Sequence, residues 1–592
     1  MLVRAPGVQP TSEPLRIMRI KRRRTAGILI PYMAKSLTIL PLLLAAVRAN
    51  FLVLETRDSP PNGFSRTGPT PLGQTLNLRF ALAQRDIAGL QDTVYEISTP
   101  GSPRYGQYLT KEEVEQFAAP SEETVSQINS WFSANNLSSS PISPAGDWIA
   151  VNMTVSQANA LLLADFSTFQ NEETNQTVVR TLSYSIPSTL KTSINAVYPT
   201  VTFPMASVGK PSFVNKTTGA PTSRAIPADC QSDWSPACLQ SLYGIPSTPA
   251  EATSSVLGVS GFSNAFANKR DLAVFLETYR PDMPSNTTFS LISVDGGINN
   301  QLPIGASSDS AADIQYTIGL ATGVPIAFIS TGTIANDVLT EFLDQAHHLL
   351  SMSDPPRTVV NTIGGLESQV PATIAIALCN AYAQLAARGV SYIVQTGIWG
   401  AGGNRFDPDC KPFDTPFPAT CPFVTAIGGT EFYPDETVET ASPFSGGGFS
   451  GFFKRPRYQD GAVSSYLKST GNTHSSLFNV SGRAVPDLSA ISQAPFVWDG
   501  EVIGAFQTPA FSADIFAAIV ALLSAGRIAA GKPGLGFLNP LLYQNPNAFA
   551  DMASGNNPGC MTDGFNATAG WDPVTGFGSP LYRKLAEICA KL

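Results

Sequence analysis

The chain is poor in charge and poorer in histidine. Of its 592 residues only 14% are Asp, Glu, Lys or Arg, against about 25% in an ordinary soluble protein. The 37 Lys and Arg are outnumbered by 45 Asp and Glu, giving a formal charge of −8. So few cations on an acidic chain make a poor nucleic-acid binder, and no nucleic-acid partner is expected. Of the 3 histidines, His347 and His348 are neighbours and His474 stands alone. That scarcity argues against a Ser-His-Asp hydrolase and against a His-rich metal centre. The 7 cysteines include no Cys-x-x-Cys pair, which excludes a zinc ribbon. Gly-x-Ser-x-Gly is also missing, so there is no nucleophile elbow of the α/β-hydrolase kind.

Long apolar runs are scarce too. Residues 1–32 are rich in Pro and Arg, and Met33-Ala-Lys-Ser then leads into an apolar run of 11 residues, Leu37–Val47. That length fits the core of a secretory signal and is too short to span a bilayer. Small residues at Val47 and Ala49 fit cleavage after Ala49, with Met33 the expected start of translation. No other uninterrupted apolar run reaches 18 residues, so no membrane contact is expected after signal cleavage, and the chain is expected outside the cell.

What is present agrees with secretion. Asn-x-Ser/Thr sequons occur at Asn136, Asn152, Asn175, Asn215, Asn286, Asn479 and Asn566. The cysteines suit an oxidising compartment. Cys230/Cys238 and Cys410/Cys421 are close enough to staple loops, Cys560/Cys589 could tie the C-terminus, and Cys379 is left over in a helix. The 48 Gly and 47 Pro describe a loop-rich globular protein.

Periodicity divides the chain. After the extension and signal (1–49), residues 50–205 read as a compact α+β unit. Leu76, Leu78, Phe80 and Leu82 alternate as in a strand, and Ile87, Leu90, Val94 and Ile97 recur as on a helix face. Ser121 caps a helix carrying Val125, Ile128, Trp131 and Phe132 on one face, and Ile149, Val151 and Met153 alternate again. Residues 206–227 lack periodicity and read as a linker open to proteolytic nicking. From 228 to 592, apolar strands near 256–259, 324–330, 358–362, 390–396 and 423–427 alternate with helices near 310–320, 338–350, 372–388 and 512–529. This grammar predicts an α/β fold, a buried parallel sheet with helices on both faces. Ligands in such sheets sit beyond the carboxyl ends of the strands.

The C-terminal stretch runs Asp551-Met-Ala-Ser-Gly-Asn-Asn-Pro-Gly-Cys560 and then Gly570-Trp-Asp-Pro-Val-Thr-Gly-Phe-Gly-Ser-Pro580. Carboxylates with nearby carbonyls suit calcium. The second motif resembles the calcium loop of the sedolisins, the serine-carboxyl peptidases that include secreted fungal tripeptidyl peptidases. Ser102-Pro-Arg-Tyr-Gly-Gln-Tyr-Leu-Thr110 with Ala119-Pro-Ser121 resembles that family's inhibitory propeptide, of pro-kumamolisin type. Cys238-Leu-Gln-Ser-Leu-Tyr-Gly-Ile-Pro246 resembles the start of its catalytic domain. Phe417-Pro-Ala-Thr-Cys-Pro-Phe-Val-Thr-Ala-Ile-Gly-Gly-Thr430, Ser445-Gly-Gly-Gly-Phe-Ser450 and Gly482-Arg-Ala-Val-Pro-Asp487 are further landmarks. The resemblance implies a subtilisin-like catalytic fold and a Ser nucleophile served by a Glu and an Asp of one helix. It also implies a second Asp at the oxyanion hole, and one calcium ion held by Asp551, Met552, Gly570 and Asp572, with Thr568 a further candidate.

At the catalytic positions the chain departs from that pattern. The family's Glu-x-x-x-Asp appears as Asp309-Ser-Ala-Ala-Asp313, followed by Ile-Gln-Tyr316. The i, i+4 spacing keeps both carboxylates on one helical face, but Asp309 is a methylene shorter than Glu. After Val390-Ser-Tyr-Ile-Val-Gln-Thr396, Ile398 stands at the oxyanion Asp position. In Thr508-Pro-Ala-Phe-Ser512, Ala510 stands at the nucleophile, and two helical residues turn Ser512 by about 200° away from it. A secreted protein with lost or weakened proteolysis is therefore expected, with peptide ends or protein N-termini in the old cleft and its own propeptide as partners. An active acid tripeptidyl peptidase and a purely structural or peptide-binding glycoprotein remain the alternatives.

Overall fold

The computed structural model describes residues 50–592, apart from 206–226, 228–229, 231–233, 252–253, 285, 303–306, 333–336, 404–411, 433–437 and 472. The signal segment, all but Pro227 of the proposed linker, Asn215 and Cys410 lie outside the described residues. One unit runs from Leu52 to Leu592.

In its N-terminal part, strand β1 (Thr75–Leu82) pairs antiparallel with β2 (Trp148–Thr154) on one side and β3 (Ile194–Tyr198) on the other. Alternation along β1 sends its two faces to different places. Leu78, Phe80 and Leu82 join Ile149, Val151 and Met153, and helix α2 (Glu122–Ala134) closes this core with Ile128 and Phe132. Ser121 caps α2, its hydroxyl accepting from the Thr124 amide at 3.1 Å. Val125, expected on the buried face, is 40% exposed. Ala81, Trp148, Ala196 and Tyr198 face the other way and join the core of the C-terminal part. Helix α1 (Ile87–Ser98) does the same. Its Leu90 and Val94 belong to the core cluster that includes helix α6 (Ala372–Ala387).

The C-terminal part is built on a parallel sheet in the order β5 (Ser290–Val294), β6 (Ile326–Thr331), β4 (Leu257–Gly261), β7 (Thr358–Asn361), β8 (Ser391–Gln395), β9 (Thr425–Glu431). β10 (Leu488–Ile491) runs parallel to β9, and Thr440–Ala441 adds an antiparallel edge. Val259 pairs with Phe328 and Val360 with Ile393. These side chains face helices α4 (Ser308–Leu320) and α7 (Pro509–Ala529). Their neighbours Ile329, Val359 and Val394 face α5 (Val338–Ser351) and α6. Both faces are covered, which is why the strands read as unbroken apolar runs. The expected strands and helices are present. Strands β5 and β10 and helix α3 (Lys269–Tyr279) come in addition. β5 escapes a hydrophobic reading because it is an exposed edge strand, Ser-Leu-Ile-Ser-Val.

The expected cysteine pairs need correction. Cys230–Cys238 is a disulfide, but Cys421 bonds Cys379 across a separation of 42 residues. Cys379 is therefore not left over, Cys560 is disulfide-bonded, and among the described residues Cys589 is the free, buried thiol. Sequence proximity misled here, because α6 and the loop before β9 meet only in the fold. The residues Ala510–Ala529 are also long and apolar enough to cross a membrane, with 89% of the apolar window buried. This is the helix under the sheet, apolar because the core surrounds it.

Candidate active site

The residues singled out in the sequence gather at the carboxyl edge of the sheet. Helix α4 carries Asp309 in its first turn and Asp313 one turn on. The following Gln315 and Tyr316 fix the helix in place. The Gln315 amide exchanges two hydrogen bonds with the backbone of Val497, and the Tyr316 hydroxyl donates to the Pro495 carbonyl at 2.7 Å. Both partners lie on strand β11 (Gln493–Trp498). Asp313 is buried, and Thr362, just past β7, donates its hydroxyl to Oδ2 at 2.8 Å. Burial raises the Asp313 pKa, and the Asp309 charge raises it further. Burial also raises half-buried Asp309. Both carboxyls are thus biased towards the protonated form.

Helix α7 begins at the same edge. The Thr508 amide donates to the Ser492 carbonyl just past β10, and the Thr508 hydroxyl accepts from the Ala510 amide at 3.3 Å. Ala510 presents a methyl group and is 2% exposed. Ser512 is turned away, as its helical phase predicts. Its hydroxyl donates to the Ala490 and Ile491 carbonyls at 2.8 and 3.1 Å, against the sheet. Ile398 follows β8 in the turn begun by Gly397, whose φ is +73°. The Gly446 and Gly447 amides donate to the Gly397 and Gly400 carbonyls. A β-carbon at 446 would overlap the Thr396 carbonyl, so the triple glycine allows this close backbone approach.

A further carboxyl had not been singled out. Asp514, one turn beyond Ala510 on α7, is 0% exposed and lies within hydrogen-bonding reach of Asp313. An isolated acid in an otherwise apolar stretch, four residues after Ala510, was the signal available in the sequence.

The C-terminal loop brings two acids together. Asp572 is buried, its Oδ1 accepting from the amides of Val574 and Thr575 and its Oδ2 from the Thr568 amide. Asp551 Oδ2 accepts from the Gly570 amide at 2.7 Å. Burial pushes Asp572 up to about 7, and the Asp551 charge adds to this. Among the described residues no cationic side chain acts on it, and the buried Thr568 hydroxyl has no partner. Two neighbouring carboxylates, each anchored by backbone amides, are the hard oxygen donors that suit a divalent cation.

Residues 62–203 match the family described as Pro-kumamolisin, activation domain. The chain is 34% identical over 574 residues to the tripeptidyl-peptidase SED2 of Arthroderma otae, covering 90% of this chain and 96% of that one. It is 33% identical over 586 residues to the SED3 of the same fungus, covering 93% and 97%. The chain belongs to the sedolisin family of tripeptidyl peptidases. Among solved structures it is similar to a Pseudomonas sedolisin, a serine-carboxyl proteinase, at 21% identity and a TM-score of 0.48, covering 60% of this chain and 98% of that one.

In this sedolisin the N-terminal domain is the propeptide, and buried polar contacts join the apolar ones described above in holding it to the peptidase domain. Arg79 of β1 grips Asp344 of α5 with its two terminal guanidinium nitrogens, at 2.5 and 3.0 Å. Arg180 and the Tyr198 hydroxyl both donate to Asp337 at the start of α5. Tyr108 inserts its ring between Gly389 and Gly536 and donates to the Gly534 carbonyl at 2.8 Å. A β-carbon at either glycine would collide with that ring. The Leu109 amide donates to the Ala387 carbonyl at 2.9 Å.

Proposed function

We propose that this chain is a secreted sedolisin in which peptide-bond cleavage is lost or strongly weakened. The carrying observation is Ala510. At the first turn of α7, where the family resemblance expects the nucleophile, no hydroxyl is available, and Ser512 is committed to the sheet carbonyls. Ile398 adds to this. An aliphatic side chain cannot donate to a developing oxyanion, and losing one such donor typically costs a hundred- to a thousandfold in rate. Asp309 and Asp313 retain the acid pair of the general-base helix, with the first carboxyl drawn back by a methylene. A misplacement of about 1 Å at such a site costs on the order of a hundredfold.

The retained cleft would bind peptide ends or protein N-termini, the substrates implied by its tripeptidyl-peptidase relatives. It would also keep the propeptide, because removal by self-processing needs the missing nucleophile. One calcium ion would be held by the carboxylates of Asp551 and Asp572 and the carbonyls of Met552 and Gly570, with Thr568 alongside. It would neutralise the neighbouring acids and stiffen the loop.

The test is release of tripeptides from a chromogenic substrate between about pH 3 and 6, with wild type compared with Ala510→Ser and with Ala510→Ser/Ile398→Asp. Wild type is expected to be inactive and the double variant to gain activity. Wild-type turnover that survives removal of contaminating proteases would return the chain to the active acid peptidases.

A further inference from the structure

Asp514 has no place in the family's chemistry as read above, yet it occupies one of the most enclosed positions in the molecule. It is 0% exposed, and neither carboxyl oxygen meets a donor among the described residues. Asp313, across from it on α4, is 1% exposed, and its Oδ1 is likewise without a donor. Thr362 satisfies only the other oxygen. Two carboxyl groups from two packed helices therefore point their unsatisfied oxygens into the same enclosed space, within hydrogen-bonding reach of each other. Two bare carboxylates there would repel strongly in a low dielectric. The one hydrogen bond that two carboxyl groups can make to each other runs through a proton.

Among the described residues no cation competes for that role, and Asp309 is the one charged group there whose field reaches the pair from outside it. On α3, which packs against α4, Asp271 accepts from the Asp499 and Gly500 amides, while Lys269, Arg270 and Glu277 are exposed. The helix Pro236–Tyr243 and the strands β4, β6, β7, β8, β10 and β11 carry no charged residue. Glu431, at the end of β9, accepts from Gln507. Arg527, near the far end of α7, donates to the Pro533 and Cys589 carbonyls, and the charged residues of the C-terminal helix Tyr582–Lys591 lie on its exposed side.

We propose that Asp313 and Asp514 form a proton-binding site between α4 and α7, whose occupant is a single shared proton. The O–H of one carboxyl donates to an oxygen of the other. The pair then carries one negative charge in place of two, and the two helices are tied together. Once the pH passes the raised folded-state values the proton leaves to solvent, both groups ionise, and the contact turns from a bond into a repulsion.

The direction of the pH effect follows. Burial first, then the neighbouring acids, raise both groups above the ordinary carboxylate value. The folded chain therefore binds more protons than the unfolded chain once the pH exceeds about 4. Stability contributed by the site is complete below that pH and is lost as pH rises through the folded-state values. The site makes the fold acid-requiring, whatever becomes of catalysis.

The test is thermal unfolding of the full chain at about pH 4 and pH 7.5, with Asp514→Asn and Asp313→Asn each compared with wild type. In Asp514→Asn the introduced amide would donate to Asp313 without titrating, which imitates the permanently protonated pair. That variant is expected to match wild type in acid and to melt about 5 °C higher at pH 7.5. A merely structural role would lower the melting temperature equally at both pH values, and that result would overturn the proposal. So would a rise in wild-type melting temperature on adding a divalent cation at fixed pH that disappears in Asp514→Asn, because the occupant would then be a metal. If Asp514→Asn does not fold, the infrared carboxylic-acid carbonyl band decides. It should be present in wild type at pH 6 and reduced in Asp313→Asn, and an unchanged band refutes the site.

Discussion

Replacing Arg79 by Met tests how the propeptide is held. The guanidinium sits on Asp344 with side-chain exposures of 12% and 9%, so both charges are largely desolvated. Burial outweighs the attraction of Arg79 and raises the Asp344 carboxyl to about 6, with Asp295 contributing further. At pH 7.5 the Arg79→Met variant leaves Asp344 ionised, buried and unpaired, which costs about 3–5 kcal/mol. At pH 4 Asp344 is protonated and needs no counter-charge, so the cost shrinks to lost packing and hydrogen bonding, about 1 kcal/mol. Thermal unfolding with hydrogen exchange across residues 75–82 should show a melting temperature lower by about 3–4 °C at pH 7.5. The same segment should be far less affected at pH 4. Equal losses at both pH values would show that the ion pair does not govern the seam and would refute the reasoning.

Other consequences are open to direct measurement. The propeptide should stay covalently attached after acidification of purified wild type. First-order shedding that does not depend on protein concentration would contradict the loss of the nucleophile. Chelation should lower the melting temperature, and Asp572→Asn should abolish that response; a chelator-insensitive wild type would count against the calcium loop. Gly536→Ala should loosen Tyr108, since a methyl group would meet the Tyr108 ring at a φ of +62°, costing about 2 kcal/mol or more. Faster exchange of the Leu109 amide would report it, and unchanged protection would argue against the seat.

The sheet and its covering helices were legible because continuous apolar strands and 3.6-residue helical patterns are local records of burial on two faces. Asp309, Asp313, Ile398 and Ala510 stood out only through resemblance to the family's motifs, while strand polarity pointed no further than the carboxyl edge of the sheet. Some features could not be read this way. The face of α1 made by Leu90 and Val94 is plain in the sequence, but periodicity names a face and not its partner, and the partner is α6 in the other domain. The Cys379–Cys421 bond joins residues whose nearness is created by packing. Asp514 gave no pattern, because one acid in an apolar helix acquires meaning only when Asp313 is seen opposite. Gln315 and Tyr316 were legible only as landmarks, and their roles in clamping β11 needed coordinates.

Helix α7 does two jobs that share no atoms. Its long apolar body fills the space beneath the sheet, while its first turn presents position 510 at the edge. A change confined to that first turn would alter the chemistry at the edge while leaving the buried body of the helix, and with it the scaffold, in place.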